Sequence, residues 1–385
     1  MKRLTILFLT RTWALGGAQT LISMFIRHLP RDRFNIITVP YDAPGAGDQD
    51  FINSIRSQGD DVAPDRIPWR HRSSWFIARE KIEELIDKYD VDIIHTHDNL
   101  SNVIVGLGRD RWQCACVASA YGWWEPRWNL KRRLYYWIER NVALPAFDRV
   151  YTVSNDMKGK ILRGGTPDER ACVIYTGLNT DLFKSHRSKQ VIREEFELPE
   201  NAIVVGSVGR LYKEKGHHLL LESVAALVAD HPRLYALIVG TGYWKDTLEE
   251  QARKLGIDDR VVFTGYYDNL VDALGAIDIF AQPSLLEEGL PTSLLEAQAA
   301  GLPIIAADIG GTRETIEKGV TGELIQPGDV SGLSAAIRSL VEDEALRAKM
   351  SVAAVERIRS IFTVENMMEK MSETYSEAYE AYQNR

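Results

Sequence analysis

The sequence has few cysteines, and their number excludes the covalent frameworks that stabilise many small secreted proteins. Its 385 residues include only Cys114, Cys116 and Cys172, which make neither an even disulfide framework nor a set of metal ligands. Cys114 and Cys116 lie in the apolar segment CACVAS, which we interpret as a buried strand. We therefore expect reduced thiols, as in a cytoplasmic protein.

Long apolar runs are also missing. No segment approaches the roughly 18 apolar residues that indicate a membrane-spanning helix. The N-terminal segment MKRLTILFLTRTW has a short apolar core that ends at Arg11, and no small-residue cleavage site follows. This pattern predicts a first β-strand rather than a signal peptide.

The sequence has no surplus of basic residues, since its formal net charge is −8. Residues 1–185 contain 26 Lys and Arg against 22 Asp and Glu, whereas residues 186–385 contain 20 against 32. Binding to nucleic acid needs clustered positive charge for the phosphates. We therefore expect no nucleic-acid partner.

The pattern along the chain predicts two domains, because a single core usually divides above roughly 250–300 residues. Short apolar runs alternate with segments of helical period, which is typical of parallel sheets covered by helices. We predict an α/β fold of two Rossmann-like, doubly wound domains, residues 1–185 and 190–362, that face a central cleft. The helix at 363–385 has no strand after it and should pack back on the first domain.

Ligands of such sheets bind outside the carboxyl ends of the strands, and the first candidate turn is TRTWALGGAQT. Gly16 and Gly17 directly precede a predicted helix, whose free amides attract a phosphate. The three-glycine fingerprint of dinucleotide-binding folds is missing, which argues against an NAD enzyme. The alternative is a plain loop.

The second turn, VGRLYKEKG, brings two cations to the start of a helix. Arg210 follows a predicted strand, and Lys215 precedes Gly216 and the next helix. Charged hydrogen bonds of about 1.5–3 kcal/mol each would suit a diphosphate. Solvated loop charges are the alternative.

The third turn, SLLEEGLPTSLLEAQAAG, places Glu288 where a buried strand should end. A helix is predicted to begin at Pro291 and Thr292. Its first amides, apart from that of the proline, which has no N–H, can face a phosphate, and we single out this group of candidates: Gly289, Leu290, Pro291 and Thr292. Glu296 lies inside the same helix among apolar neighbours, where a carboxylate needs a hydrogen-bond partner such as a ribose diol. A solvated helix face is the alternative.

The fourth turn is IIHTHDN, in which His95 and His97 point to one side of a strand. A histidine satisfied within the core is the alternative for each. A metal site would need ligands beyond Asp98, so no metal is predicted. The two D-x-D strings, Asp48–Asp50 and Asp90–Asp92, are interpreted as solvated.

Together these turns make the chain resemble the retaining glycosyltransferases of family 4, which have the GT-B fold. The segment EGLPTSLLEAQAAGLP, residues 288–303, matches the paired-glutamate signature of the family. VGRLYKEKG and GGTRETIEKGVTGELIQPGD match its nucleotide-binding domain, and RVYTVSNDMKGKIL matches the end of its first domain. The resemblance covers nearly the whole chain.

The resemblance implies roles for particular residues. Arg210 and Lys215 would hold the diphosphate of the donor, Glu288 would contact hydroxyls of its sugar, and Glu296 would contact its ribose. Gly17 would lie against the donor phosphates from the other domain. Backbone near Tyr266 would meet the base.

One departure from the family concerns the reacting sugar. A T-x-H-G pattern is common after the fourth strand of the first domain, whereas this chain has SAYGWW with Tyr121 at the place of the histidine. Tyrosine is a poor base near neutral pH because the ordinary pKa of its phenol is about 10. His97 and Tyr121 are both candidates for the catalytic contact.

The resemblance implies transfer of a sugar from a nucleotide-diphosphate donor to a glycan or lipid-linked acceptor, with retention of anomeric configuration. Surface polysaccharide, lipopolysaccharide or glycolipid biosynthesis would be the pathway, without a cofactor or an obligatory metal. The alternatives are a non-hydrolysing nucleotide-sugar epimerase, a glycosidase and a non-catalytic nucleotide-sugar-binding protein.

The acceptor is expected to bind the first domain. Residues 121–140, YGWWEPRWNLKRRLYYWIER, combine five cations with four tryptophans and three tyrosines. Such a segment suits sugar rings and an anionic membrane surface, and we expect peripheral contact with the inner membrane face. A helix with an aromatic core face is the alternative.

Overall fold

A computed structural model of the chain describes residues 2–10, 17–42, 66–68, 74–123 and 129–385. The chain forms two compact units. The first comprises Met1–Thr176 together with Val364–Arg385, and the second comprises Gly177–Thr363.

The first unit is built on a parallel sheet of seven described strands in the order β3-β2-β1-β4-β5-β6-β7. These strands are β1 (Leu4–Thr10), β2 (Phe34–Asp42), β3 (Ile67–Pro68), β4 (Ile93–Thr96), β5 (Ala115–Ala120), β6 (Arg149–Thr152) and β7 (Ala171–Val173). The helices described between them are α1 (Gly17–His28), α2 (Ser74–Tyr89), α3 (Asn99–Gly106), α4 (Leu130–Ile138) and α5 (Asn155–Arg163).

The strands of the first unit are apolar along their whole length because both of their faces are buried. Every residue of β4 and of β5 is buried, as expected for parallel strands covered by helices on both faces. Polar side chains cap the helices that begin directly after β4 and β6. Asp98 accepts a hydrogen bond from the amide of Ser101 at the start of α3, and Ser154 caps α5 in the same way.

The second unit contains a six-stranded parallel sheet in the order β10-β9-β8-β11-β12-β13. Its strands are β8 (Ile203–Val208), β9 (Leu234–Val239), β10 (Val261–Gly265), β11 (Ile279–Gln282), β12 (Ile304–Ala307) and β13 (Gly322–Ile325). Its helices are α6 (Lys189–Glu195), α7 (His217–Ala225), α8 (Lys245–Leu255), α9 (Leu270–Ala276), α10 (Thr292–Ala299), α11 (Thr312–Thr315), α12 (Val330–Glu342) and α13 (Glu344–Ile361).

Each sheet has one point at which the strand order reverses. In the first unit this point lies between β1 and β4, and in the second unit it lies between β8 and β11. Successive residues of a strand face opposite sides of its sheet, so Val204 and Val205 pack into different apolar cores. These two units confirm the predicted α/β class and the doubly wound parallel sheets, and the order reversals mark where ligands of such sheets bind.

The final helix, α14 (Val364–Gln383), belongs to the first unit. Met371 and Tyr375 of this helix are fully buried. The Tyr375 hydroxyl lies 2.7 Å from Nδ1 of His95 in β4, and Arg149 donates a hydrogen bond of 3.1 Å to Glu377. The C-terminal helix therefore completes the core of the first unit.

Candidate active site

The candidate donor site of the second unit forms where the loops after β8 and β11 meet. The loop after β8 ends at Gly216, which has a φ of +75° and directly precedes α7. A Cβ at this position would lie 1.9 Å from the carbonyl oxygen of Pro283, the residue after β11. Only glycine lets the two backbones approach this closely in a left-handed conformation.

This approach brings Lys215 to Glu288. The Lys215 ammonium lies 2.6 Å from Oε2 of Glu288, and the two side chains are 18% and 20% exposed. An ammonium has three N–H donors, so Lys215 can hold Glu288 and a phosphate oxygen at the same time. The residues predicted to grip the diphosphate and to contact the sugar thus lie side by side.

The second oxygen of Glu288 is held by residues that the sequence alone did not single out. Oε1 accepts hydrogen bonds from Gln282 Nε2 at 2.8 Å and from the Ser284 hydroxyl at 2.7 Å. The hydroxyl of Ser293 in turn donates to Gln282 at 2.6 Å. Polar residues on both sides of Pro283, at the end of a buried strand, were the available signal for this support.

A second support for Glu288 comes from the GGT segment after β12. The amide of Gly311 donates to the carbonyl oxygen of Glu288 at 3.0 Å. Gly310 has a φ of +50°, and a Cβ there would lie 2.6 Å from the same oxygen. The glycines quoted for the family resemblance therefore allow this loop to lie against the backbone of Glu288.

The start of α10 presents free amides beside Glu288. The helix begins at Thr292 after Pro291, and Leu290 is buried. Within the described part of the chain, no hydrogen bond is donated by the amides of Gly289, Leu290, Thr292 and Ser293. Free amides at the positive end of a helix dipole bind anions, so this turn can receive a phosphate group.

Glu296 lies within α10 and is half-buried. Its carboxyl has no hydrogen-bond donor among the described residues. Burial raises the pKa of Glu296 from 4.5 to about 7, because desolvation disfavours the charged form. A ligand with paired hydroxyls would supply the donors that the protein itself does not.

Arg210 and Tyr266 are the exposed members of the candidate site. The Arg210 guanidinium lies 4.8 Å from the centre of the Tyr212 ring and has no acidic partner among the described residues. The carbonyl oxygen of Arg210 lies 3.3 Å from Nε2 of the buried His217. Tyr266 directly follows β10 and is 74% exposed.

In the first unit, His95 and His97 both face the core at the end of β4. His95 is fully buried, and its two ring nitrogens lie 2.7 Å from the Tyr375 hydroxyl and 2.8 Å from the Ser119 hydroxyl. It is therefore a satisfied core histidine. Nδ1 of His97 lies 2.9 Å from the Tyr121 hydroxyl, so the structure brings the two candidate catalytic side chains together.

Neither of these two side chains is suited to act as a base at neutral pH. Burial lowers the pKa of His97 to about 3, which leaves a neutral imidazole. Burial also raises the pKa of Tyr121 to about 12, which keeps the phenol protonated. The buried Nε2 of His97 has no hydrogen-bond partner in the described structure, and the pair can offer hydrogen bonds rather than accept a proton.

A buried carboxylate near this pair was not anticipated. Glu139 is fully buried in a π-helical turn, Glu139–Ala143. Its oxygens accept hydrogen bonds from Asn99 at 2.5 Å, from Asn102 at 2.7 Å and from Trp123 Nε1 at 2.8 Å. These contacts join α3, the π-helical turn after α4 and the segment after β5, and they depend on tertiary packing that no local pattern reveals.

Some predicted features fall outside the described residues. They are Gly16, the string Asp48–Asp50 and residues 124–128 of the aromatic segment, whereas Gly17 is the first residue of α1. The interpretation of Asp92 as solvated is wrong. Asp92 is 8% exposed and accepts hydrogen bonds from the amide of Thr5 and from Lys2, so it ties β4 to β1.

Within the described residues, two kinds of feature are missing. None of the helices in these ranges is both long enough and apolar enough to span a bilayer. No group of three or more His, Cys, Asp or Glu side chains in the same ranges is arranged to hold a metal ion.

Two protein families match the chain in sequence. Residues 15–182 match the family described as Glycosyltransferase Family 4, and residues 188–357 match Glycosyl transferases group 1. The boundary between the two matches lies near the boundary between the two structural units.

Individual relatives are also glycosyltransferases. The chain is 30% identical over 285 residues to the D-inositol 3-phosphate glycosyltransferase of Corynebacterium aurimucosum. The matched region covers 69% of this chain and 67% of that protein. It is 33% identical over 175 residues to the lipopolysaccharide core biosynthesis glycosyltransferase LpsE of Rhizobium meliloti, over 46% of this chain and 50% of LpsE.

A solved structure extends the likeness to the whole fold. The Anabaena protein Alr3699/HepE, crystallised in complex with UDP, superposes with a TM-score of 0.85 at 25% identity, over 97% of this chain and 100% of that chain. The chain therefore belongs to the GT-B glycosyltransferases that combine a Family 4 domain with a group 1 domain.

Proposed function

We propose that this glycosyltransferase moves a sugar from a nucleotide-diphosphate donor to a hydroxyl of a glycan or lipid-linked acceptor and retains anomeric configuration. The observation that carries the proposal is the meeting of Lys215 with Glu288 at the reversal point of the second sheet, beside the free amides of α10. A cation and amides suit the diphosphate, and a fixed carboxylate suits sugar hydroxyls.

We propose the following donor contacts. Lys215 and Arg210 bind the diphosphate, Glu288 accepts hydrogen bonds from the sugar, and Glu296 accepts them from the ribose. The base lies near the backbone of Tyr266. HepE was crystallised with UDP and also with UDP and glucose, so we propose a uridine nucleotide as the donor to test first.

The chemistry follows from the charge that develops on the leaving diphosphate. Lys215, Arg210 and the α10 amides are preorganised for that charge, as electrostatic catalysis requires. Burial lowers the pKa of His97 to about 3 and keeps Tyr121 protonated. His97 is therefore a weak base, and we propose a leaving-phosphate oxygen as the base for the acceptor hydroxyl. We propose that attack occurs on the face from which the diphosphate departs, with no obligatory metal.

We propose that the acceptor binds to the first unit and that this unit contacts the membrane. Leu130, Leu134 and Trp137 form one exposed stripe along α4, with exposed fractions of 74%, 59% and 51%. Lys131 and Arg133 flank this stripe. Such a face suits the surface of an anionic membrane, and the likeness to LpsE favours a role in lipopolysaccharide or another surface glycan at the inner membrane face.

The experiment is a nucleotide-release assay with UDP-, GDP- and ADP-sugars, with and without glycan acceptors and with EDTA. We expect one nucleotide released for each sugar transferred, unchanged by EDTA, and a product whose anomeric proton coupling matches that of the donor. Glu288→Gln should lower turnover by at least about 100-fold, whereas Glu287→Gln, at the exposed neighbouring carboxylate, should not. Isomerised donor without nucleotide release would indicate an epimerase, and binding without turnover would indicate a sensor.

A further inference from the structure

A hydrogen-bond network in the second unit links the start of α10 to Glu288. The Ser293 hydroxyl donates to Oε1 of Gln282 at 2.6 Å, and Nε2 of Gln282 donates to Oε1 of Glu288 at 2.8 Å. Gln282 is the last residue of β11 and is 3% exposed. The network of Ser293, Gln282 and Glu288 therefore joins the end of a strand, the loop after it and the first turn of the following helix.

The packing of β11 does not require an amide at position 282. The preceding residues of this strand, Ile279–Gln282 apart from the glutamine itself, are apolar and buried, and a buried amide costs free energy unless its polar atoms are paired. Among the described residues, the side chain of Gln282 makes two hydrogen bonds, and both join it to residues of the candidate donor site. The amide therefore serves this site rather than the core.

The chemistry of the three side chains favours one orientation of the Gln282 amide. A carboxylate only accepts hydrogen bonds, so Gln282 has to direct its NH2 group at Glu288. The carbonyl oxygen of Gln282 then faces Ser293, whose hydroxyl donates to it. The opposite orientation would bring an amide oxygen against a carboxylate oxygen, and these like partial charges repel each other. Ser293 and Gln282 thus fix the direction in which the Glu288 carboxylate points.

The protein leaves one acceptor position of Glu288 open. A carboxylate offers about four such positions. Among the described residues, Gln282 and Ser284 occupy two positions on Oε1, and Lys215 occupies one on Oε2. A ligand hydroxyl can therefore donate to Oε2 without displacing these donors, in a direction that depends on how Gln282 and Ser284 hold the carboxyl group.

Ser293 connects this carboxylate to the phosphate-binding end of α10. Its hydroxyl belongs to the network, whereas its amide is one of those at the helix start that donate no hydrogen bond within the described part of the chain. A phosphate bound by these amides would hold in place the turn that carries the Ser293 hydroxyl. Gln282 would transmit that ordering to Glu288.

We propose that Gln282 is a positioning residue that couples sugar recognition at Glu288 to phosphate binding at the start of α10. The proposal rests on the proposed function, because that function assigns Glu288 to the donor sugar. Gln282 itself acts through Glu288 and not on the donor. Its contribution is confined to the part of the affinity that the sugar adds, which distinguishes UDP-glucose from UDP.

The test is calorimetric titration of the wild type and of Gln282→Met with UDP and with UDP-glucose. Methionine fills a similar volume but has no N–H to donate to Glu288. We expect UDP-glucose to bind at least about fivefold more weakly to Gln282→Met, and UDP to bind within about twofold of the wild type. Ser293→Ala keeps the helix amide and loses the hydroxyl, so it should show the same selective loss, and it decides the question if Gln282→Met does not fold.

Gln298→Met is the matched control. Gln298 is a fully buried glutamine of α10 whose Nε2 donates to the carbonyl oxygen of Thr315 at 3.1 Å, outside the network. Its replacement should lower the melting temperature and leave the ratio of the UDP-glucose and UDP affinities unchanged. A similar change of this ratio in Gln298→Met, or equal losses of both ligands in Gln282→Met, would overturn the proposal because a general structural role explains either result.

A double variant with Glu288→Gln shows whether Gln282 acts through the carboxylate. In that background, Gln282→Met should change the affinity for UDP-glucose by less than about twofold, because the group that it positions is already altered. A further loss of about fivefold or more would overturn the positioning role, since Gln282 would then act independently of Glu288.

The same titrations separate this proposal from the proposed function. If Glu288→Gln loses affinity for UDP-glucose while Gln282→Met and Ser293→Ala do not, the donor site stands and the coupling fails. If Glu288→Gln binds UDP-glucose as the wild type does, the sugar contact of the proposed function fails, and the coupling fails with it. If UDP does not bind the wild type, GDP and ADP with their glucose conjugates replace it, and binding of none of the three would remove both proposals.

Discussion

Glu296 shows how one residue can link donor binding to pH. Its carboxyl is half-buried, has no donor among the described residues, and has a pKa raised to about 7. Near neutral pH it is therefore protonated for part of the time. Two ribose hydroxyls that donate to the carboxylate would favour its charged form and lower the pKa, so donor binding should release a proton.

We therefore predict that UDP-glucose binds more weakly as the pH falls below about 7. The dissociation constant should rise by up to about tenfold per pH unit and should level off at higher pH. UDP-glucose is the suitable ligand because its diphosphate does not titrate in this range. Calorimetry from pH 5.5 to 8.5 measures the slope, and an unchanged slope in Glu296→Gln would contradict the role of this carboxyl.

The same raised pKa predicts a pH effect on stability. Between the ordinary value of 4.5 and about 7, the folded protein binds more protons at Glu296 than the unfolded chain does. Stability contributed by this group is thus lost as the pH rises through that window. Glu296→Gln should melt at a higher temperature than the wild type at pH 8 and at a similar temperature at pH 4.5. A lower melting temperature of the variant at pH 8 would rule this out.

At the scale of elements, the contact between the loops after β8 and β11 depends on Gly216. Its φ is +75°, and a Cβ would meet the Pro283 carbonyl oxygen at 1.9 Å. Gly256 makes a matched control, since its φ is +68° and a Cβ there would meet nothing within 4 Å. Both glycines have a left-handed backbone conformation, but only a Cβ at position 216 would collide with a neighbouring backbone atom.

Gly256→Ala should cost about 1–2 kcal/mol, the cost of a left-handed alanine. Gly216→Ala should cost more, because the two loops must also separate. That separation moves Lys215 from Glu288, so we expect Gly216→Ala alone to lose UDP-glucose binding. Thermal melting and calorimetry check both effects, and equal stability with intact binding in the two variants would refute the proposed contact.

The exposed stripe of α4 gives a second prediction at this scale. Leu134→Asp should reduce co-sedimentation of the protein with vesicles that contain phosphatidylglycerol, because it places a charge within the stripe. Val352→Asp is the control, since Val352 in α13 of the second unit is 60% exposed and Leu134 is 59% exposed. A similar reduction in both variants would argue against contact through α4.

For the whole molecule, the alternation of apolar runs and helical segments was enough to predict two doubly wound parallel sheets. Apolar residues repeat every two residues in strands and every 3.6 residues in helices. These patterns involve only neighbouring residues, so a single sequence is enough to detect them. The protonation states of His97 and Tyr121 could not be predicted, because they depend on burial by elements distant in sequence. The burial of Asp92 could not be predicted for the same reason, since Thr5 and Lys2 reach it across the sheet.

The candidate donor site also combines features that the sequence shows with features that depend on the fold. The spacing of Glu288 and Glu296, together with a cationic loop before a helix, is visible in the sequence. The pairing of Glu288 with Lys215 follows from the strand order that sets β8 beside β11, whereas Gln282 and Ser284 support Glu288 from the end of β11 and the loop after it. No spacing rule reports that adjacency, so the pairing of Lys215 with Glu288 becomes visible only in the folded unit.

The proposed function depends most on the claim that Lys215 holds the donor diphosphate. Calorimetric titration of UDP into the wild type, Lys215→Ala and Lys254→Ala tests it directly, since Lys254 is 73% exposed and forms an exposed pair with Glu250 on α8. A charged hydrogen bond of about 1.5–3 kcal/mol predicts roughly 10- to 100-fold weaker binding in Lys215→Ala, with Lys254→Ala unchanged. Equal affinity in all three proteins would contradict the claim.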